Sequence, residues 1–352
     1  MKPRKALETI VPYTPGKLKE GAVKLASNEN PLGPSPKALE RLKSVLPGLS
    51  LYPDAAFVRL RQAVAGRLGV APENLIFGNG SDELLCLAAG TYIEEGDDAV
   101  TSQSTFSEYT FATVLFGGHM TYAPLKDGRF DLPALAALTG PRTRIVFLCN
   151  PNNPTGTVFS GDELSRFLEK VSRDVLVVLD EAYYEYVGWD EFPRSVELLG
   201  AHPNVLILRT FSKIYGLAGL RVGYGIAREE VIRNLSRAKT PFNVNLAAQE
   251  AALAALEDDE FVERSVAMNA EGKRYLYREF DRLGLRYYPT EANFVCVHLN
   301  RDGTEVFERI MDMGVTIRPL RSFGMADWIR VTVGTPEQNR LFISCLQRVL
   351  KG

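Results

Sequence analysis

The stretch from position 144 to 179, RIVFLCNPNNPTGTVFSGDELSRFLEKVSRDVLVVL, decides the fold. It opens and closes on short apolar runs, Arg144-Ile145-Val146-Phe147-Leu148 and Val175-Leu176-Val177-Val178-Leu179. Runs of this length and composition suit strands buried on both faces. Between them Ser160-Gly161-Asp162-Glu163 is a capping box, the signature of a helix start. A strand, a helix and a second strand make a parallel crossover. Outward from this unit, from about Ala55 to Lys239, helix-period segments such as Phe57, Leu60, Val64 and Leu68 alternate with further apolar runs such as Asn204-Val205-Leu206-Ile207-Leu208. That alternation predicts an α/β fold with a largely parallel sheet and helices over both faces.

After Asn245 the pattern changes to an alanine-rich helix and then a long amphipathic one from about Asp259 to Leu283, with Gly284 as its stop. Beyond it, Asn293 to Leu299, Val315 to Arg318 and Trp328 to Val333 read as strands, with helices at Glu305 to Met313 and Pro336 to Leu350. These predict a second, smaller α/β domain. A chain of 352 residues and 39.0 kDa suits two domains better than one core. The expected division is a large domain over 46–254, with 1–45 and 255–352 forming an N-terminal arm and the small domain. The arm, to about Asn30, is rich in Pro and Gly without clear periodicity, as segments that pack on a partner or over a cleft often are.

A net charge of -2 and no basic tail argue against nucleic acid as a partner. The first residues lack a secretory apolar core, and no apolar run is long enough to span a bilayer, so a soluble cytoplasmic protein without membrane contact is expected. Cys86, Cys149, Cys296 and Cys345 are scattered without a CxxC pair, which predicts reduced core thiols and no structural metal.

In open α/β sheets ligands bind at the carboxyl ends of strands, so the polar residues that follow apolar runs are the candidates. After Leu75-Ile76-Phe77 comes Gly78-Asn79-Gly80-Ser81-Asp82-Glu83, a tight turn into a helix whose free N–H groups could hold a phosphate. A bare helix cap would look the same. After Val146-Phe147-Leu148 comes Cys149-Asn150-Pro151-Asn152-Asn153-Pro154-Thr155-Gly156, which fixes an asparagine amide at a strand end. Asp180-Glu181-Ala182-Tyr183 adds a carboxylate and a phenol, and Ser212-Lys213, with Arg221 beyond, adds an amine and a guanidinium. A lysine enclosed in apolar surroundings needs either a salt bridge or a chemical use for a lowered pKa. The four places together match the needs of pyridoxal 5′-phosphate: an amine for its aldehyde, a carboxylate for its ring nitrogen, hydrogen bonds for its 3-oxygen and a cradle for its phosphate. On this reading Lys213 carries the cofactor.

Over nearly its whole length the chain resembles the fold-type I aminotransferases, in which a large domain with a mostly parallel sheet flanked by helices is joined to a smaller α/β domain. Within them it is most similar to the branch acting on histidinol phosphate. The matching strings are Leu25 to Pro34, Leu51-Tyr52-Pro53-Asp54, Gly78 to Glu83, Asn152 to Gly156, Asp180 to Tyr183, Ser212-Lys213, Gly219 to Gly223 and Ile329 to Gly334, in the family's order. The resemblance implies Lys213 as Schiff-base lysine and proton shuttle, Asp180 on the ring nitrogen, and Asn153 and Tyr183 on the 3-oxygen. Tyr109 matches the aromatic that stacks on the ring, the alternative being a core tyrosine on a helix.

Ser81, Asp82, Ser212 and Arg221 would bind the phosphate, with Tyr52 reaching it from the other subunit of a homodimer with shared active sites. Tyr13 and Asn28 match arm positions lining the cleft, and Arg318 and Arg330 match anion-binding arginines able to serve both a carboxylate and a phosphate. The implied reaction is ping-pong transfer of an amino group between histidinol phosphate and 2-oxoglutarate, giving imidazole-acetol phosphate and glutamate, in histidine biosynthesis. Aromatic-amino-acid aminotransferases and threonine-phosphate decarboxylases share the fold and stand as alternatives.

Overall fold

The computed structural model describes residues 1–12 and 19–351; Tyr13 therefore lies outside the described residues. Seven strands form the main sheet: β1 (Leu75–Gly78), β2 (Asp98–Ser102), β3 (His119–Ala123), β4 (Thr143–Cys149), β5 (Leu176–Asp180), β6 (Val205–Thr210) and β7 (Gly223–Ala227). Their spatial order is β1-β7-β6-β5-β4-β2-β3. Every pair is parallel except those made by β7, which runs antiparallel to both neighbours. Every residue of β5 and β6 is buried, because helices cover both faces.

Three helices place the chemistry. Helix α1 (Gly80–Tyr92) leaves the end of β1, and α2 (Glu108–Leu115) follows β2. Helix α3 (Gly161–Leu168) is the crossover between β4 and β5, and it carries the full capping box: Ser160 Oγ accepts from the Glu163 amide at 3.1 Å while Glu163 Oε2 accepts from the Ser160 amide at 2.7 Å.

The long amphipathic segment is helix α4 (Asp259–Arg282), followed by Gly284 at φ 65°, the left-handed stop that glycine adopts without steric cost. It leads into an antiparallel sheet of β8 (Tyr287–Tyr288), β9 (Phe294–His298), β10 (Arg318–Pro319) and β11 (Trp328–Thr332), ordered β8-β9-β11-β10. Helix α5 (Pro336–Lys351) closes the chain against α4.

Two large apolar cores result, one around the main sheet and one between the small sheet, α4 and α5. The arm joins the smaller core, since Leu25 is buried in it and Val23–Lys24 pairs in parallel with Val315–Thr316. The following helix, Pro36–Val45, instead packs on the helix Leu246–Leu256, with Ala38 in the larger core. No helix among the described residues is long and apolar enough to cross a membrane, and all four cysteines are free.

The segment read as one strand, Val315 to Arg318, is two. Val315–Thr316 pairs with the arm, whereas Arg318–Pro319 pairs with β11. The break lets one short segment serve two sheets, and it sets Arg318 directly opposite Arg330 in the ladder.

Candidate active site

A cleft opens between the carboxyl ends of β4, β5 and β6, the first turn of α1, the arm and the small sheet, where a parallel sheet leaves room for a ligand. It is lined by Asn28, Ser81, Asp82, Asn153, Asp180, Tyr183, Ser212, Lys213, Arg221, Arg318 and Arg330. Residues predicted from segments almost the full chain apart thus converge on one cavity. Tyr52 does not line it. It is 82% exposed on the outer surface and stacks on Phe242, with ring centroids 4.7 Å apart.

Lys213 follows β6 and reaches into the cleft, where its Nζ donates to the carbonyl of Ser27 at 3.2 Å and lies 5.7 Å from the centre of the Tyr183 ring. Enclosure by the cleft walls, reinforced by the Arg330 charge, lowers its pKa to about 8 from the 10.5 of a free lysine. No carboxylate pairs with this amine among the described residues, so a salt bridge does not explain it. Asp180 ends β5. Burial raises its pKa to about 6 from 3.8, against the opposing hydrogen bonds from Tyr109 and from the Ala182 amide. The Tyr183 hydroxyl accepts from Asn28 Nδ2 at 2.9 Å, and burial keeps it a phenol by raising its pKa.

Arg330 is buried in β11, with one nitrogen donating to Asn153 Oδ1 and another to the carbonyl of Ala26 at 2.7 Å. Its pKa falls to about 10, chiefly through burial and also through nearby Arg318, which leaves it charged at neutral pH. Two buried polar atoms here have no partner, Ser212 Oγ and Arg330 Nε. Unpaired buried donors cost free energy, and at a cleft they mark the place of a ligand.

The other end of the cleft is shaped by close backbone approach. Gly80 stands at φ 73°, and a methyl group on it would come within 2.7 Å of the Arg221 guanidinium. A methyl group on Gly223 would lie 2.9 Å from both Gly80 C and Ser81 N. The first turn of α1 therefore presses on β7, and Arg221 lies beside it, its Nη2 donating to Asp82 Oδ2 at 2.9 Å. A helix N-terminus, a serine hydroxyl and a guanidinium make an anion cradle. An aldehyde-bearing, phosphorylated, nitrogen-containing ring fits this set of donors: amine, carboxylate, phenol and cradle are all present.

One assignment needs correcting. Tyr109 does not reach the cleft: it is fully buried, stacked on Phe147 with centroids 5.0 Å apart and planes at 7°, and its hydroxyl donates to Asp180 Oδ2 at 2.7 Å. The aromatic that this segment contributes to the cleft lining is Phe106, three residues earlier and just ahead of α2. Helical spacing accounts for this, because Tyr109 shares a face with buried Ala112 and Thr113, which pack inward. Glu108, Cys149 and Phe323 also line the cavity and were not anticipated. For Cys149 the signal was there, directly after an apolar strand; for Phe323 no local pattern distinguishes it from any loop aromatic.

Behind the cleft Glu181 points away from Asp180 and takes two hydrogen bonds from Arg209, at 2.8 and 2.9 Å, in a fully buried pair. The pair ties the loop after β5 to β6, and so fixes the spacing between Asp180 and Lys213.

With this geometry, the family model for aminotransferase class I and II matches residues 20–346. The chain belongs to the class I and II aminotransferases. It is 51% identical to the histidinol-phosphate aminotransferase of Moorella thermoacetica, over 99% of this chain and 92% of that one. Among solved structures it is similar to histidinol-phosphate aminotransferase from Sinorhizobium meliloti in complex with pyridoxal-5′-phosphate, at TM-score 0.92 and 28% identity, covering 99% of this chain and 97% of that chain. It also matches L-threonine-O-3-phosphate decarboxylase from Porphyromonas gingivalis, at TM-score 0.83 and 23% identity, covering 94% of this chain and all of that one, a likeness of fold alone. The α/β architecture is thus that of the pyridoxal-phosphate-dependent, fold-type I aminotransferases.

Proposed function

We propose that this aminotransferase uses pyridoxal phosphate to transfer the amino group of histidinol phosphate to 2-oxoglutarate, giving imidazole-acetol phosphate and glutamate, in histidine biosynthesis in the cytoplasm. The observation that carries the chemistry is a half-buried lysine with a pKa near 8 beside a buried carboxylate, in one cleft with a phosphate cradle. The substrate reading rests on the full-length 51% identity to an enzyme of that name.

Bound pyridoxal phosphate supplies an aldehyde that condenses with amines and a ring that takes up the electron pair left when a substrate α-proton departs. Lys213 would hold that aldehyde and, once displaced by substrate, act as the base that moves the proton, a role suited to an amine neutral near pH 8. Asp180 would keep the ring nitrogen protonated, Asn153 and Tyr183 would hold the 3-oxygen, and Phe106 would cover the ring face. Ser81 and Asp82 through their amides, with Ser212 and Arg221, would bind the phosphate. Arg318 and Arg330 would take the glutamate carboxylate in one half-reaction and the substrate phosphate in the other. Asn28 orients Tyr183 from the arm.

Tyr52 and the apolar side chains around it would complete the partner's site in a homodimer. The cleft lies between two cores, the basis for dividing the chain into 46–254 and 1–45 with 255–352, although the helix Pro36–Val45 packs on the larger.

Reduction of the cofactor-loaded protein with borohydride, followed by peptide mapping, should leave the cofactor's mass on the peptide containing Lys213, and Lys213→Ala should lose transamination altogether. Cofactor mass on any other lysine overturns the assignment.

A further inference from the structure

Asp180 is held by a side chain that never meets the cleft. The Tyr109 hydroxyl donates to its Oδ2 at 2.7 Å, while Oδ1 accepts from the Ala182 amide at 3.1 Å. The tyrosine ring has no room to swing: Phe147 stacks on one face, Phe106 meets it edge-on with centroids 5.7 Å apart, and Thr113 Oγ1 donates to its backbone carbonyl at 2.8 Å. Packing therefore fixes the direction of the hydroxyl, and the hydroxyl fixes the carboxylate.

We infer that Tyr109 is a positioning residue for the cofactor's ring nitrogen, orienting the Asp180 carboxylate and keeping it ionised so that it can hold a proton on that nitrogen. The inference rests on the pyridoxal phosphate reading of the cleft.

The groups facing Asp180 are Tyr109 from α2, Cys149 from β4, Asp82 from α1, Tyr183 from the loop after β5 and Lys213 from the loop after β6. Burial pushes the Cys149 thiol up to about 12 and raises both tyrosines, so these three are neutral dipoles at physiological pH. Asp82 opposes ionisation of Asp180, and Lys213 favours it only while protonated. Burial drives the carboxyl toward the neutral acid, and the Tyr109 hydroxyl is the largest influence in the other direction. A hydrogen bond to an ionised carboxylate is roughly twice as strong as one to its neutral form, so removing this donor favours the protonated acid. A protonated Asp180 has no negative charge with which to retain the ring's proton.

The test measures how tightly the full-length protein, stripped of cofactor, binds 4′-deoxypyridoxine 5′-phosphate across the pH range. This analogue has a methyl group in place of the aldehyde and cannot bond to Lys213, so its affinity and its absorbance report the ring and phosphate contacts alone. Tyr109→Phe keeps the stacked ring and removes only the hydroxyl. Its acid limb of binding, and the pH at which the bound ring's absorbance changes, should move up by about one pH unit relative to wild type. The plateau at higher pH should stay within about threefold. Titration of the analogue itself is common to every variant compared.

A profile identical to wild type overturns the inference. So does a uniform loss at all pH values, because that is the mark of a hydroxyl that supports the local structure without acting on the charge of Asp180. Asp180→Asn separates the two levels: it should weaken the analogue at every pH and remove the limb, and if it leaves binding unchanged the pyridoxal phosphate reading fails, whatever Tyr109 does.

Discussion

The Lys213 amine is enclosed without a carboxylate partner among the described residues, next to the arginine charges of Arg330 and Arg221. Its pKa near 8 is the chemical use that a buried lysine requires. Only the neutral amine attacks an aldehyde, so the fraction able to react rises as pH climbs through the pKa. The rate at which cofactor-free protein captures pyridoxal phosphate should therefore climb through about pH 8 and level off above it. Stopped-flow absorbance would follow this, and a rate still rising steeply past pH 10 would show an ordinary, solvated lysine. Below pH 6 a second loss is expected as Asp180, with its pKa near 6, takes up a proton.

At the scale of elements, the cradle depends on how closely β7 and α1 approach. Gly223→Ala would place a methyl group 2.9 Å from the backbone of Gly80 and Ser81, and backbone cannot move aside as a flexible side chain can. Overpacking of that kind costs about 1–3 kcal/mol, and here it displaces the amides at the start of α1. The variant should stay folded and bind pyridoxal phosphate about tenfold or more weakly by equilibrium dialysis; unchanged affinity would mean those amides do not hold the phosphate.

Local signals of this sort were readable in the chain. The capping box at Ser160 to Glu163, the stop at Gly284 and the polar clusters after each apolar run all depend on neighbours in sequence, and each is found where it was expected. Strand direction and pairing depend on distant partners. An apolar run does not say that β7 lies antiparallel, nor that Val315 and Arg318 belong to different sheets. Tyr109 and Phe106 fall between these cases: both are aromatic and three residues apart, and only the helical face shared with Ala112 and Thr113 tells which turns inward.

For the whole molecule, the surface around Tyr52 is the feature that a lone chain leaves unexplained. Leu46, Leu49, Leu51, Tyr52 and Val58 are all exposed within thirteen positions of sequence, and Phe242 joins them by stacking on Tyr52. Exposed apolar side chains of this kind suit the subunit interface of the proposed homodimer. Sedimentation equilibrium should give a particle of twice 39.0 kDa, and a monomer with undiminished cofactor affinity would rule out a site shared between subunits.

The measurement that bears most directly on the proposed reaction is a single half-reaction. Purified, cofactor-loaded protein is mixed separately with histidinol phosphate, phenylalanine and O-phosphothreonine, while the absorbance of the lysine-linked cofactor and the release of carbon dioxide are followed. The proposed transamination, with Arg318 and Arg330 lining the cleft to take the phosphate, predicts rapid loss of that absorbance with histidinol phosphate and far slower loss with phenylalanine, and because it removes a proton and not a carboxylate it predicts no carbon dioxide from O-phosphothreonine. Preference for phenylalanine, or carbon dioxide from O-phosphothreonine, would contradict the assignment and give the cleft to a different substrate.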